Sequence, residues 1–173
     1  MMRNVVNGAV GGALATAVYS AVLMAGDRAG LIREKPPRRV ARTVMSGRSS
    51  RPVPGENIVG TIAHYAFGAG CGSVLGLLSA GQRLPAPIGA AYGLVVWYLG
   101  HQGLAPAVGA YPPASRDSRG RQAVLVAGHL VWGTSLAIAL NRLRIEKMAV
   151  GTGQPARDVR RHRTPSPQPV HAF

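Results

Sequence analysis

Three histidines lie inside long uncharged apolar stretches of the chain, and they are the side chains best able to do chemistry. They are His64, His101 and His129. Ionisable residues in such surroundings usually mark a functional site. Imidazoles can bind a transition metal or haem, or relay protons near neutral pH. The simpler interpretation, which we favour, is that each imidazole makes a structural hydrogen bond between helices.

Four glycine-rich apolar stretches must position these histidines. They contain no Lys, Arg, Asp or Glu and span residues 4–26, 57–80, 86–110 and 122–140. A helix of about 20 residues crosses a hydrocarbon core of roughly 30 Å. Backbone in lipid must satisfy its own hydrogen bonds, as a helix does. The sequence therefore predicts an all-α polytopic membrane protein, a compact four-helix transmembrane bundle.

Small residues recur at every fourth position in these stretches and therefore share one face of each predicted helix. Such faces let helix backbones approach closely in lipid, where no hydrophobic force drives association. The three histidines fall on the same faces, so we expect their rings inside the bundle. We predict small-xxx-small packing through Gly8, Gly12, Gly68, Gly72, Gly76, Gly89, Gly93 and Gly133.

Counting from the ends of the stretches predicts that the three histidines lie at one depth. With four antiparallel crossings, each lies about 10–14 Å below the surface shared by connectors 27–56 and 111–121, at about 1.5 Å per residue. Tyr19 and Ser20 lie at a similar depth. We expect the three ring centroids to fall within about 12 Å of one another. The candidate intramembrane polar layer comprises His64, His101, His129, Ser20 and Gln102.

The apolar stretches lack the residues of most catalytic sites. Without an acidic side chain, a carboxylate-based proton or cation pathway lacks its usual members. The chain has no H-E-x-x-H, C-x-x-C or phosphate-loop pattern, and its single cysteine, Cys71, excludes an intrachain disulfide. We predict a protein that is not an enzyme and has no cofactor. Whether the histidines bind a metal stays open.

The charged residues are confined to the connectors and the termini. The chain has 20 Lys and Arg against six acids, a net charge of +14, so that its mean hydropathy is only +0.12. Basic residues beside apolar spans set membrane topology and attract anionic head groups. We therefore expect anionic lipid head groups at the basic connector 27–56 and at the tail. We expect no nucleic-acid partner, because charge alone is a weak indication of one.

The composition divides the chain into two parts. Residues 1–149 form the predicted transmembrane domain, in which 38–46 of the basic connector could form a short surface helix. Residues 150–173 are rich in Gly, Pro, Arg, Ser and Thr, which predicts a disordered basic tail.

The third apolar stretch has a second interpretation, because Gly103, Pro106 and Gly109 are compatible with a re-entrant segment. Connector 27–56 and the tail would then share a face that carries 15 of the 20 basic residues. We favour four crossings on the length of the stretch. With four crossings, the basic residues close to the spans favour a cytoplasmic connector 27–56 and both termini outside.

Several short motifs are distributed over roughly residues 5–140. They are Pro36-Pro37-Arg38, His64-Tyr65-Ala66-Phe67-Gly68, Trp97 with His101, Pro106 to Gly109, and His129-Leu130-Val131-Trp132-Gly133. Together they resemble the YagU-like bacterial inner-membrane proteins, a family of unknown function. The resemblance implies a multi-span helical protein of the bacterial inner membrane. It implies no activity, so it assigns no catalytic role to any residue.

The leading functional hypothesis is a non-enzymatic integral membrane bundle that self-associates or binds another membrane protein. One alternative is a small transporter or channel in which the histidine layer gates protons or a metal. Another is a metal- or haem-binding membrane protein that uses the same histidines. A solvent-connected cavity reaching all three histidines would favour transport. A dry interface with every imidazole paired would favour the bundle.

Overall fold

The description of the fold rests on a computed structural model. It describes residues 1–32, 36–46, 52–110 and 117–151. The tail predicted to be disordered lies outside these residues from position 152 on. The same holds for parts of the two basic connectors, at 33–35, 47–51 and 111–116.

Every regular element in the described ranges is a helix, which confirms the all-α class. The main helices are α1 (Met2–Arg28), α2 (Pro36–Ser46), α3 (Glu56–Leu78), α4 (Ala86–Trp97) and α5 (Arg119–Gly151). After α4 the chain continues as a π-helical segment, Tyr98–Leu104, and one further α-helical turn, Ala105–Ala107. The surface helix predicted at 38–46 is α2, which begins two residues earlier.

Among the described residues, three helices are long and apolar enough to cross a membrane. They are Met2–Arg28, Glu56–Leu78 and Arg119–Arg144. They correspond to the first, second and fourth predicted stretches and indicate a multi-pass membrane protein. The third stretch differs, because its regular α-helix stops after 12 residues, at Trp97, where the π-helical segment begins.

Helices α1 and α3 run antiparallel with their backbones in contact. A Cβ atom built on Gly8 would meet the carbonyl of Gly72, and one built on Gly12 would meet the carbonyl of Gly68. Protein interiors are already close-packed, so a larger residue at these positions must push the helices apart.

Helix α5 packs antiparallel against another side of α1, mainly through larger side chains. Gly11 of α1 faces Leu136, and Gly26 faces Val124. The apolar core lies along this contact. Its most deeply buried α5 side chains are Leu125, Leu136, Ala137 and Leu140.

Helix α4 packs antiparallel on α5, again with backbones in contact. A Cβ on Gly89 would meet the carbonyl of Gly133, and a Cβ on Gly93 would meet the carbonyl of His129. Four helices therefore surround the core, in the contact order α3, α1, α5 and α4.

Two hydrogen bonds between helices tie this core together. The Trp132 indole of α5 donates to the Thr16 hydroxyl of α1 across 3.1 Å. The Tyr92 hydroxyl of α4 donates to the Cys71 carbonyl of α3 across 2.7 Å. Tyr92 also stacks on Trp132, with ring centroids 6.1 Å apart. These polar groups satisfy one another, as an apolar interior requires.

Helix α2 lies across the N-terminal end of α3 and is held there by one carboxylate. Glu56 accepts a hydrogen bond from Nε of Arg38 at 2.5 Å and two from Arg42 at 2.7 Å. It also accepts the backbone N–H of Val53 at 3.0 Å. Gly60 lies directly under the Pro37 carbonyl, so the absence of a side chain there lets α2 approach α3.

Asn141 joins the end of the core to the turn between α3 and α4. Its side-chain oxygen accepts the Leu84 N–H at 3.0 Å, and its amide donates to the Leu84 carbonyl at 2.8 Å. We expect Asn141→Ala to destabilise the protein by about 1–2 kcal/mol, because two backbone groups lose their partner. Thermal melting in detergent measures this. The exposed neighbour provides the control, Arg142→Ala, and equal melting temperatures for the two variants would contradict the prediction.

Candidate functional site

The three candidate histidines are linked through a tyrosine. The Tyr19 ring centroid lies 5.4 Å from that of His64 and 4.7 Å from that of His129. The His129 ring in turn lies 5.2 Å from that of His101. The four rings therefore form a continuous series of aromatic contacts from α3 through α1 and α5 to the π-helical segment. Tyr19 had been expected at this depth, but not as the residue that connects the histidines.

Small residues make room for this series of rings. A Cβ on Gly128 would collide with the Tyr19 ring, and a Cβ on Gly68 would collide with the Thr16 hydroxyl one turn below. Tyr19 is only 3% exposed as a result. The aromatic contacts therefore depend on glycines in two different neighbouring helices.

His129 has a local hydrogen-bond partner. Its Nδ1 atom lies 2.8 Å from the Leu125 carbonyl one turn earlier. A carbonyl can only accept, so Nδ1 carries the proton and Nε2 is left as an acceptor. This pairing within α5 is the kind of structural bond expected of a buried imidazole.

His64 differs, because its buried Nε2 atom has no hydrogen-bond partner among the described residues. Buried polar atoms in native proteins are nearly always paired. The ring lies between two open cavities, one polar and one apolar, and lines both of them.

The polar cavity, here called the polar cleft, opens between α1, α2 and α3 and has a volume of about 620 Å³. It reaches His64 but is not lined by His101 or His129. Ser20 lines the cleft and donates to the Thr16 carbonyl at 2.8 Å. The polar side chains around it are Ser20, Asp27, Arg38, Asn57, Thr61, His64 and Tyr65.

The apolar cavity, here called the apolar groove, lies between α2, α3 and the π-helical segment and has a volume of about 330 Å³. His64 and His101 both line it, and the other described side chains around it are apolar. Its rim includes exposed apolar side chains, such as Val44 of α2 and Leu104 of the π-helical segment.

The π-helical segment positions His101 and the adjacent Gln102. π-Helical turns are rare and occur frequently at functional sites. Pro106 is the sequence signal for this one, because proline has no N–H for the carbonyl four residues earlier and its ring clashes with that carbonyl. Glycines at positions 100 and 103 add backbone freedom, and a Cβ at either would meet nothing within 4 Å.

The other end of the molecule, away from the histidines, is closed. Gly72 faces Gly8, and Gly76 faces the carbonyl of Asn4, so α1 and α3 touch through backbone atoms there. Gly89 and Gly133 close the gap between α4 and α5 in the same way. The polar cleft thus reaches His64, and its described lining does not include these glycine contacts.

The described residues include no group of three or more His, Cys, Asp or Glu side chains arranged to hold a metal ion. The imidazoles instead contact one another and Tyr19 edge-on or tilted. This arrangement suits ring packing rather than convergence of nitrogen atoms on one point.

A second charged cluster lies just before α5. Nε of Arg121 donates to Asp117 at 2.8 Å, and Gln122 also donates to this carboxylate. Partial burial disfavours the charged carboxylate, but the bonds from Arg121 and Gln122 outweigh it and hold the pKa of Asp117 below its ordinary value. The cluster places a negative charge at the N-terminal end of α5, where the helix dipole stabilises it.

Comparison with known proteins identifies a matching family. A family model described as a family of unknown function (DUF6789) matches residues 2–150. No curated protein and no solved structure matches the chain.

Proposed function

Because the chain belongs to the DUF6789 family, whose function is unknown, we propose a function from the structure itself. We propose that it is a non-enzymatic, four-helix transmembrane bundle of the bacterial inner membrane, which associates with itself or with another membrane protein. The observation that carries the proposal is the continuous helical backbone from residue 86 to residue 107, packed along α5.

The fourth crossing is supported by the contacts of the third apolar stretch. At one end Leu84 is bound to Asn141, and further along His101 contacts His129. The stretch therefore follows α5 over much of its length. At about 1.5 Å per residue, the α-helical residues within 86–107 extend roughly 22 Å, and the seven-residue π-helical segment adds to this length, so the stretch approaches the roughly 30 Å of a hydrocarbon core.

The packing of the bundle is supported by the glycine contacts. In lipid, close backbone approach replaces the hydrophobic force that holds soluble bundles together. We propose that the small-xxx-small rows provide this approach, at Gly8 against Gly72 and at Gly89 against Gly133. The relation to the YagU-like proteins is part of the same proposal and concerns the same four helices.

Lipid contact by the basic connector is supported by the exposed guanidinium of Arg38. The Arg38 side chain is 45% exposed although its Nε atom is bound to Glu56. Its remaining nitrogens can meet anionic head groups at the surface. We propose no nucleic-acid partner.

Transport is the second candidate function, and the polar cleft is the observation that favours it. The cleft admits solvent to His64 from one end. A transport cycle would also have to open the backbone contacts at the other end, for example between Gly8 and Gly72. A proton flux measured with a pH-sensitive dye in proteoliposomes, and lost in His64→Ala, would favour transport over the non-enzymatic bundle.

The topology is tested by labelling single cysteines with a membrane-impermeant maleimide. Replacing the single native cysteine by alanine gives a cysteine-free background for the exposed positions Ala29, Gln82 and Ser118. Four crossings predict that Ala29→Cys and Ser118→Cys are labelled from one side and Gln82→Cys from the other. The measurement uses spheroplasts and inverted vesicles of the same cells.

The re-entrant alternative makes the opposite prediction for one variant. In that case Ser118→Cys is labelled from the same side as Gln82→Cys, because residues 86–110 return to the surface they left. The cysteine-free background serves as the labelling control. This result would overturn the four-crossing bundle.

A further inference from the structure

The apolar groove has chemistry that neither helix packing nor lipid contact explains. His64 and His101 come from different elements, α3 and the π-helical segment, yet both line the groove. Placing two imidazoles against an apolar wall has a cost unless they are hydrogen-bonded. The Nε2 atom of His64 has no such partner among the described residues. The wall of the groove therefore includes an imidazole whose buried Nε2 atom is unpaired, and a ligand in the groove meets this atom if the ring turns toward it.

The shape of the groove indicates how a ligand would enter. Its rim carries exposed apolar side chains, including Val44, Phe67 and Leu104. On the proposed topology, Phe67 and Leu104 belong to membrane-spanning stretches, so their exposed side chains face the bilayer. A ligand dissolved in the membrane could enter without crossing the polar surface.

The charges around the groove restrict the ligand further. The described lining contains no Lys, Arg, Asp or Glu, and the arginines of α2 that bind Glu56 do not line it. A phosphate or carboxylate in the groove would thus be buried without a counter-charge, which is strongly unfavourable. The ligand must be uncharged, largely apolar and able to accept or donate a hydrogen bond at its head.

We propose that the apolar groove binds the head group of an isoprenoid quinone, with its carbonyl oxygens toward His64 and His101 and its tail leaving toward lipid. A quinone is uncharged and flat, and each carbonyl oxygen accepts a hydrogen bond from an imidazole N–H. The volume of about 330 Å³ accommodates a substituted ring and the first part of a tail. The inference rests on the proposed transmembrane placement of α3 and the third apolar stretch.

The test measures quenching of tryptophan emission by quinones in the full-length protein in lipid nanodiscs. Trp97 lies one turn before His101, so a quinone in the groove quenches its emission. The probes are decylubiquinone and menaquinone-2, which represent benzoquinones and naphthoquinones. We expect saturable quenching by one of them in the native chain.

Two matched substitutions on α3 locate the binding. Ala63 and Ala66 are both exposed, but only Ala63 lines the groove. We expect Ala63→Phe to weaken binding by at least about tenfold because its ring occupies the groove, and Ala66→Phe to leave binding unchanged. His64→Ala should weaken binding by about tenfold, the equivalent of one hydrogen bond.

Several outcomes would overturn the quinone proposal. The first is that neither probe gives saturable quenching, and the second is that the quinone quenches Ala63→Phe and Ala66→Phe equally. The third is that oleate displaces the bound quinone as effectively as a second quinone does, which would indicate a general acyl-chain groove. Melting curves of each variant show that loss of binding does not reflect unfolding. The cysteine labelling described above is run on the same chain. If the labelling shows four crossings but no quenching is seen, only the quinone site is refuted. If the labelling does not show four crossings, the proposed bundle is refuted.

Discussion

Replacing Gly72 by leucine is expected to produce a large loss of stability in this protein. A Cβ atom at this position would lie 2.7 Å from the Gly12 Cα atom and 2.9 Å from the Gly12 nitrogen, and it would also collide with the Gly8 carbonyl. Backbone atoms cannot swing aside as a flexible side chain can, so α1 and α3 must separate. We expect a destabilisation of about 3 kcal/mol or more, since ordinary overpacking already costs about 1–3 kcal/mol.

The same helix provides a matched control at Gly70. A Cβ atom there meets nothing within 4 Å, so Gly70→Leu adds the same side chain toward open space. Thermal melting of both variants in one detergent, with size-exclusion profiles, gives the comparison. If Gly72→Leu melts at the same temperature as Gly70→Leu, the contact between α1 and α3 is not the tight one described.

The second large effect is expected at Glu56, which anchors α2 to α3. Its carboxylate is almost fully buried and binds Arg38, Arg42 and the Val53 N–H together. Glu56→Gln removes the charge that compensates Arg42, itself only 6% exposed. A buried charge that loses its partner is strongly unfavourable, so we expect α2 to leave α3 while the contacts among the other helices persist.

Hydrogen–deuterium exchange measures this detachment directly. In Glu56→Gln, the amides of residues 36–46 should exchange almost as fast as those of an unstructured peptide, with little change in α1 and α5. The double variant Glu56→Gln/Arg42→Gln should recover part of the protection, because it leaves no uncompensated buried charge; Arg38, which also loses its partner, is 45% exposed. Unchanged protection of α2 in Glu56→Gln would show that its apolar face alone holds it in place.

The attachment of α2 through Glu56 also governs access to the histidine cluster. Helix α2 forms a wall of both the polar cleft and the apolar groove, and His64 lines both cavities. Detaching α2 should therefore merge the two cavities above His64. For this reason, adding Ala63→Phe to the Glu56→Gln variant should no longer weaken quinone binding.

Much of the architecture could be predicted from composition and spacing. The segregation of charge from four apolar stretches indicated an all-α membrane protein, because uncharged segments of this length must be helical in lipid. The helices α1, α3 and α5 correspond closely to three of the predicted stretches. The repeat of small residues at every fourth position placed them on one face of each predicted helix, since a regular helix fixes the direction of each Cβ atom.

The third stretch shows where a regular periodicity stops being informative. The prediction assumed α-helical geometry through residue 110, but the backbone changes to π-helical geometry at Tyr98. This change alters the direction in which His101 points. Pro106 signalled a disturbance, but the choice between a kink, a break and a π-helical turn depends on packing against α5.

The sequence by itself determined which segments are helical, which faces carry small residues and that the histidines belong to such faces. Only the tertiary structure decided that Tyr19 connects His64 to His129, that α2 folds back over α3 through Glu56, and that the space beneath it divides into a polar cleft and an apolar groove. The physical reason is that periodicity encodes the environment of one helix at a time. Contacts between helices depend on their relative register and rotation, which are set by the backbone approach of Gly12 to Gly68 and by the Tyr19 ring against Gly128 rather than by any local pattern.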